Sequence, residues 1–253
     1  MNRTNSFFNH VIWPVQNVVA FTTTIHHPNQ LEYLSAYGNF NLGLHVGDEE
    51  NIVLSHRRLL LDYLPANTSI QWLDQVHGNN VEVIKQESEP HIADASTTQQ
   101  RHIALAIMTA DCLPIIISSL DGSDIAAIHG GWKPLSKNII QHTIQKMKTP
   151  ANELYVWLGP CIGPEKFEVG EDVYGIFMDQ HNEFSRAFTS VDPQEHKNKY
   201  LANLQLIAEI QLKHLGVNHI YSLPHCTFSM KDNYYSYRRD NKTGRMATII
   251  CRA

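Results

Sequence analysis

Apolar, β-prone residues come in short runs along this chain, and they are densest between Ala104 and Trp132. One run ends in Thr109-Ala110-Asp111-Cys112-Leu113-Pro114, a second is Ile115-Ile116-Ile117, and a third leads through Ile128-His129-Gly130-Gly131 to Trp132. An earlier run, starting at Trp72, closes on Gln75-Val76-His77-Gly78-Asn79-Asn80. Runs of this length and composition fit strands. Three of them end in a side chain that can ligate a metal or attack an electrophile: Cys112, His129 and His77.

The remaining pattern predicts a mixed set of elements. Val18 to Thr23 is a first strand, followed by the loop Thr24-Ile25-His26-His27-Pro28-Asn29. Asn39 to Asp48 is an irregular extended segment, with Asp48 placed to cap a helix over Asn51 to Leu64 that stops at Pro65. Val53, Leu60, Leu61 and Leu64 share one face of that helix, and Arg57 on the same face reads as snorkelling to its edge. Ser69 to Val76 and Val81 to Ile84 form a hairpin around His77-Gly78-Asn79-Asn80, and Glu87 to Arg101 is a polar loop. Beyond the central strands, Pro134 to Met147 is an amphipathic helix whose start at Gly130-Gly131 offers N–H groups to an anion. A strand at Leu154 to Leu158, a short helix at Val173 to Met178 and a long one at Leu201 to Leu215 ending on Gly216 follow. His219 to Leu223, Tyr234 to Tyr237 and Met246 to Cys251 are the last strands. Strands in mixed order with a few helices indicate an α+β class.

Size and charge narrow the function. A chain of 253 residues can bury a substantial core, and one domain spanning 1–253 is expected. Its net charge of -5 carries no basic excess for a phosphate backbone, which argues against nucleic acid and for a small-molecule substrate. No apolar run approaches the ~20 residues that cross a bilayer, so no membrane partner is expected. Four cysteines without CxxC spacing and the absence of a charged-then-apolar leader fit a reducing cytoplasm. Most of the 15 histidines, including His10, His91, His142, His181 and His196, sit among polar residues and read as surface or packing groups.

One cysteine and two histidines make a donor set for a first-row metal with a fourth position open to water, which means catalysis rather than structure. Zinc lowers the pKa of its bound water to about 7, enough to attack an amino-bearing purine carbon. The nucleobase-deaminase HxE…PCxxC pairing is absent. Two other readings use the same atoms. Cys112 is a thiolate nucleophile with His129 as base and no metal, or Cys112 is a small buried hydrophobe and the histidines are structural. Asp111 reads as a cap or backbone partner ahead of a general base. Arg238 and Arg239 offer guanidiniums to a phosphate or carboxylate, or form surface salt bridges. Cys161, Cys226 and Cys251 read as packing.

Seven blocks carry a resemblance. They are Asn41-Leu42-Gly43-Leu44-His45-Val46-Gly47-Asp48, Gln75-Val76-His77-Gly78, Thr109 to Pro114, His129-Gly130-Gly131-Trp132, Leu158-Gly159-Pro160, Phe167-Glu168-Val169-Gly170, and Ser236 to Asp240 with Thr243-Gly244-Arg245. In this order they resemble the laccase-domain or YfiH-type family, whose members are described both as multicopper polyphenol oxidases and as purine nucleoside phosphorylases. The resemblance implies a layered α/β/β/α mixed β-sandwich grouped with cysteine hydrolases. It implies zinc held by His77, Cys112 and His129, which are also the catalytic residues. It further implies phosphorolysis of adenosine, inosine, guanosine or methylthioadenosine, and deamination of adenosine through a zinc-bound water. Asn41, His45, Asp111, Gly130, Arg238 and Arg239 are the candidate contacts to nucleoside and phosphate. Two departures stand out: Thr24-Ile25-His26-His27 replaces the family's Arg-x-Gly-Gly, and Gly130-Gly131 replaces Ala-Gly, a mild change.

Two alternatives belong to other classes. A copper-dependent polyphenol oxidase follows from one family description, although the multiple His-x-His pairs of a multicopper cluster are missing. A peptidoglycan-precursor editing factor would use Cys112 as a thiol nucleophile.

Overall fold

The computed structural model describes residues 7–31, 35–191 and 198–253; His196 lies outside the described residues. Two sheets form the body. The first runs, edge to edge, Phe8–His10, Val18–Thr23, Met246–Arg252, Ile103–Thr109 and Ser69–Gln71. The second runs His219–Ser222, Leu154–Leu158, Leu113–Ser119, Ile125–Gly130, Ala95–Thr98 and Val81–Val83.

The two-residue period of a strand explains how these sheets stack. Ile116, Ile125, Ala127 and Trp157 of the second sheet pack with Ala20, Leu105, Ile107 and Ile250 of the first. Their chain neighbours Ile115, Ile117, Ala126 and Ile128 turn the other way, onto Ile139 and Ile140 of the helix Ile139–Lys146 and Ile207 and Ala208 of the helix Leu204–His214. On the far side of the first sheet, Ala104, Ala106, Ile249 and Cys251 pack with Phe40, Leu60 and Leu64. The layers are thus helix, sheet, sheet, helix, a mixed α/β fold with both parallel and antiparallel pairs. Each fully buried isoleucine contributes about 1.5–3 kcal/mol, and Ile128→Ala would cost about 2–5 kcal/mol through the cavity it leaves.

Several local expectations change. Ser69 to Ile84 is no hairpin: Ser69–Gln71 pairs parallel with Ile103–Thr109, whereas Val81–Val83 pairs parallel with Ala95–Thr98 in the other sheet. The His77 turn therefore crosses between sheets. Within the expected polar loop, His91–Ile92 and Ala95–Thr98 are strands too short to show a period. The first helix covers Glu50–Leu59 and tightens into a 3₁₀ segment over Leu60–Tyr63, which leaves Leu61 exposed. Asp48 does not cap it: one carboxylate oxygen accepts from Glu49 N–H and the other from Asn41 Nδ2.

Arg57 does not reach solvent freely. Its Nε donates to Leu42 O at 2.9 Å and its guanidinium lies 3.9 Å from the Trp72 ring centre, and burial lowers its pKa to about 10. The Pro134 to Met147 helix is two pieces, Trp132–Ser136 and Ile139–Lys146, broken where Asn138 takes a left-handed φ of 59°. Lys199–Ala202 is a strand ahead of the long helix, and Tyr237–Asp240 is a helical turn rather than a strand. Among the described residues no helix is long and apolar enough to cross a membrane.

Candidate metal centre and its cavity

The three ligand-type residues arrive from three kinds of backbone. Cys112 sits in the link Ala110-Asp111-Cys112, where the chain leaves Ile103–Thr109 of the first sheet and enters Leu113–Ser119 of the second. Asp111 holds a φ of 93°, costly for a residue with a side chain. Four hydrogen bonds fix it. Its carboxylate accepts from Thr227 Oγ1 at 2.6 Å, Ser236 Oγ at 3.0 Å and Arg238 N–H at 2.7 Å, and its carbonyl accepts from Ile162 N–H at 2.9 Å. Asp111 is therefore a brace under Cys112, with its carboxylate engaged away from any base role.

His129 stands near the end of Ile125–Gly130, opposite Pro114 in the antiparallel register. Since Ile128 faces the helices, the strand period turns His129 toward the space between the sheets. His77, exposed and with a φ of 58°, comes from the sheet crossover. Its Nε2 lies 3.9 Å from Cys112 Sγ, and the donor atoms of His77, Cys112 and His129 lie within 4.8 Å of one another. Gly131 is packed against this group: a Cβ there would meet Cys112 Sγ at 3.0 Å.

One carboxylate organises two of the three. Fully buried Asp94 accepts from His129 Nδ1 at 2.8 Å, and from the N–H groups of His77 at 2.9 Å and Gly78 at 2.6 Å. Burial alone would raise its pKa, but His129 and those backbone donors hold it below the ordinary carboxyl value. With Nδ1 committed to Asp94, His129 presents Nε2 to its neighbours, as an outer-shell carboxylate does for a ligating imidazole. Burial likewise raises the Cys112 thiol, and His129 followed by His77 outweigh it and bring it down to about 6. For His129, burial works downward, and Cys112 and Asp94 raise it to about 9. A thiol easily deprotonated beside two oriented imidazoles is a donor set that fits a first-row metal.

These groups border a cavity of about 490 Å³ that also includes His45, Gln75, Phe167, Tyr237, Arg238 and Arg245 in its walls. Gln75 is locked, accepting from Met108 N–H at 2.7 Å and donating to Met108 O at 2.8 Å. Burial, then Arg245 and Arg57, lower the His45 pKa and keep its imidazole neutral. Both Arg238 Nη atoms donate to Glu168 O, at 3.2 and 3.3 Å. Arg245 Nη1 donates to Thr243 O and Gly244 O at 3.0 Å, and its guanidinium lies 5.9 Å from the Tyr237 ring centre.

Of the candidate substrate contacts, His45, Asp111 and Arg238 border the cavity, and three others do not. Arg239 turns inward, donating to the carbonyls of Thr227, Phe228 and Tyr234 and to Asp240. Asn41 is wholly buried, its amide bonded to Gly43, Asp48 and Arg245 N–H. Gly130 serves close packing, because a Cβ there would meet Leu113 O at 2.7 Å; alanine at this position is not a mild change. The Trp132–Ser136 helix is too short to act as an anion site. The Thr24 to His27 loop also lies off the cavity, where His27 packs edge-on against Phe40 and His56. Asp94, Gln75 and Arg245 are the contributors that sequence reasoning missed.

A family model described as multi-copper polyphenol oxidoreductase laccase matches residues 24–253. A Haemophilus influenzae protein named purine nucleoside phosphorylase is 37% identical over 239 residues, covering 94% of this chain and 96% of its own. The Escherichia coli purine nucleoside phosphorylase YfiH is 37% identical over 220 residues, covering 86% and 88%. Among solved structures, a Neisseria meningitidis protein matches with a TM-score of 0.89 at 35% identity over 98% of this chain and 99% of that one. YlmD from Geobacillus stearothermophilus matches with a TM-score of 0.87 at 26% identity over 99% and 98%.

Proposed function

The chain belongs to the multi-copper polyphenol oxidoreductase laccase family, and from that premise we propose that it is a zinc-dependent purine nucleoside enzyme. Its reactions are phosphorolysis of adenosine, inosine, guanosine or methylthioadenosine, and deamination of adenosine. Relatives named purine nucleoside phosphorylase support the reading. The observation that carries it is the convergence of His77, Cys112 and His129 on the wall of a cavity sized for a small organic ligand, with two arginines on the same wall.

His77, Cys112 and His129 would hold the zinc. Bound there, it would supply Lewis acidity and make a water easier to deprotonate. Everything else falls to the protein. Phosphorolysis breaks the glycosidic C–N bond, forms a C–O bond to phosphate and returns a proton to the purine. Arg238 and Arg245 provide charge for the phosphate, and neutral His45 can accept the proton the phosphate gives up and pass it to the departing purine nitrogen. Phe167 and Tyr237 give the purine apolar faces to lie against. Deamination exchanges the adenine amino group for a water oxygen and releases ammonia, with no phosphate required.

Chromatography of adenosine incubations with and without phosphate tests this. Adenine and ribose 1-phosphate appear only with phosphate, inosine and ammonia without it. Zinc-loaded protein that turns over none of the four nucleosides would overturn the reading. The Cys112 thiol, brought down by His129 and then His77, favours one further possibility, a metal-free thiol nucleophile with His129 as base. Activity toward a peptidoglycan precursor that survives chelation would identify it, and copper with phenol oxidation would identify the oxidase.

A further inference from the structure

We propose that Cys226 and Cys161 form a second reactive site, a peroxide-sensitive dithiol in which Cys226 is oxidised first and Cys161 closes a disulfide onto it. The two residues are in register in a parallel bridge, where Cys161 N–H donates to His225 O at 3.3 Å and Thr227 N–H donates to Cys161 O at 2.9 Å. Side chains in register on paired parallel segments project the same way from backbones about 4.8 Å apart. That spacing lies inside the roughly 4.4–6.8 Å that a disulfide spans between Cα atoms. Packing accounts for Cys251 in the outer core and for Cys161 among the apolar residues beneath the second sheet, but not for Cys226, which belongs to neither cluster.

The surroundings of Cys226 are built for an anionic sulfur. Gly163 N–H donates to Cys226 Sγ at 3.2 Å, and a Cβ on Gly163 would sit 3.1 Å from that sulfur, so only glycine lets this N–H approach. Burial pushes the Cys226 thiol up, but Ser229 together with the Gly163 and Phe228 backbones brings it below its ordinary value. Burial drives the Cys161 thiol the other way, which leaves it protonated. Both cysteines line a cavity of about 280 Å³ that shares the Ile162 wall with the metal-ligand cavity, with Lys166, Asn203 and His225 among its other walls. A small peroxide has a route to the sulfur.

The chemistry closes with one peroxide. Cys226 gives up its proton, its thiolate attacks a peroxide oxygen, the O–O bond breaks, and a sulfenic acid forms as the leaving hydroxide takes up that proton as water. Cys161 then attacks the Cys226 sulfur, the S–O bond breaks, and the departing hydroxide takes the Cys161 proton as water. Two thiols are oxidised and hydrogen peroxide is reduced to two waters. The position gives this consequence: Ile162, next to Cys161, and Thr227, next to Cys226, both donate to Asp111, the brace under Cys112.

Peptide mapping of the full chain after graded hydrogen peroxide tests the site independently of nucleoside turnover. Free thiols are alkylated under denaturing conditions before digestion. The expected product is a Cys161–Cys226 linked peptide that dithiothreitol reverses, with Cys251 still alkylated. In Cys161→Ser, dimedone should label Cys226 as a sulfenic acid. In the native protein, a fully alkylated Cys226 at peroxide levels that oxidise Cys112, or Cys161 linked to Cys112 instead, would overturn the proposal whatever the variant does.

Discussion

Among the described residues, two clusters bring three ligand-type side chains within 4.8 Å of one another: His77, Cys112 and His129, and His181, Glu183 and His214. By composition they look alike. Their surroundings differ. In the first, Asp94 is wholly buried and uses one carboxylate to orient His129 and fix the His77 turn, and a cavity opens beside the donors. In the second, His181 Nδ1 accepts from Glu183 N–H, and the Glu183 carboxylate is shared between Arg186 and His214 at the exposed surface. Its donors are spent on one another and on the backbone. Donors in proximity become a site when buried partners orient them and leave their lone pairs free.

Cys112→Ala should break the comparison most severely. With no thiol, the inner cluster keeps only two imidazoles, so bound metal and nucleoside turnover should fall together, turnover by about 10³-fold as for loss of a residue acting within a catalytic unit. Circular dichroism should remain native, and metal retained in that variant would contradict the ligand assignment.

Asp94→Asn comes next. It leaves the three donors in place but unties their support, and metal affinity measured by chelator competition should drop about 10- to 100-fold. The same variant sharpens the contrast in acid. A carboxyl whose folded pKa is depressed contributes stability above its unfolded value, near 3.9, and loses it as pH falls through the lower folded value. Asp94 and Glu183 are both depressed, the first by a buried imidazole and backbone donors and the second chiefly by His214. Acid unfolding of the native protein should therefore steepen below pH ~4, flatten in Asp94→Asn, and remain unchanged in Glu183→Gln at moderate salt, where exposed pairs are screened.

A smaller effect is expected at the cavity wall. Arg245→Ala should raise the KM for phosphate by about 10-fold, the loss of one charge-assisted contact, with a lesser change in the KM for nucleoside. The smallest belongs to the outer cluster: His181→Ala combined with His214→Ala should leave metal content at about one per chain, the capacity of a single three-ligand site. A fall in metal content there would erase the distinction between the clusters.

Sequence pattern brought His77, Cys112 and His129 forward because each closes an apolar run, and the structure brings their donors together at the ends of such runs. The sheets were legible for a related reason. Ile115 to Ile117 and Ile125 to Ile128 are long enough for a strand assignment, and both faces are buried. A hairpin around His77 fits the sequence because glycine and asparagine serve a sheet-to-sheet crossover as well as a tight turn. Its strands find parallel partners far along the chain, which local pattern does not encode. Asp94 was hidden in a polar stretch whose strands are two and four residues long. Arg239 and Asn41 were overread, since nothing in an isolated arginine or asparagine distinguishes one that meets solvent from one that satisfies buried carbonyls. The signal available for Asp94 is local only: an acid flanked by two alanines, Ala93-Asp94-Ala95, inside a polar stretch.

The most direct test of the central claim is a metal titration of metal-depleted protein, with turnover of adenosine in phosphate followed at each zinc addition. Turnover should rise in proportion to bound zinc and reach its plateau at about one zinc per chain. Full turnover in the depleted protein, or turnover that stays absent at saturating zinc, would contradict the assignment of His77, Cys112 and His129 as the zinc site of a nucleoside enzyme.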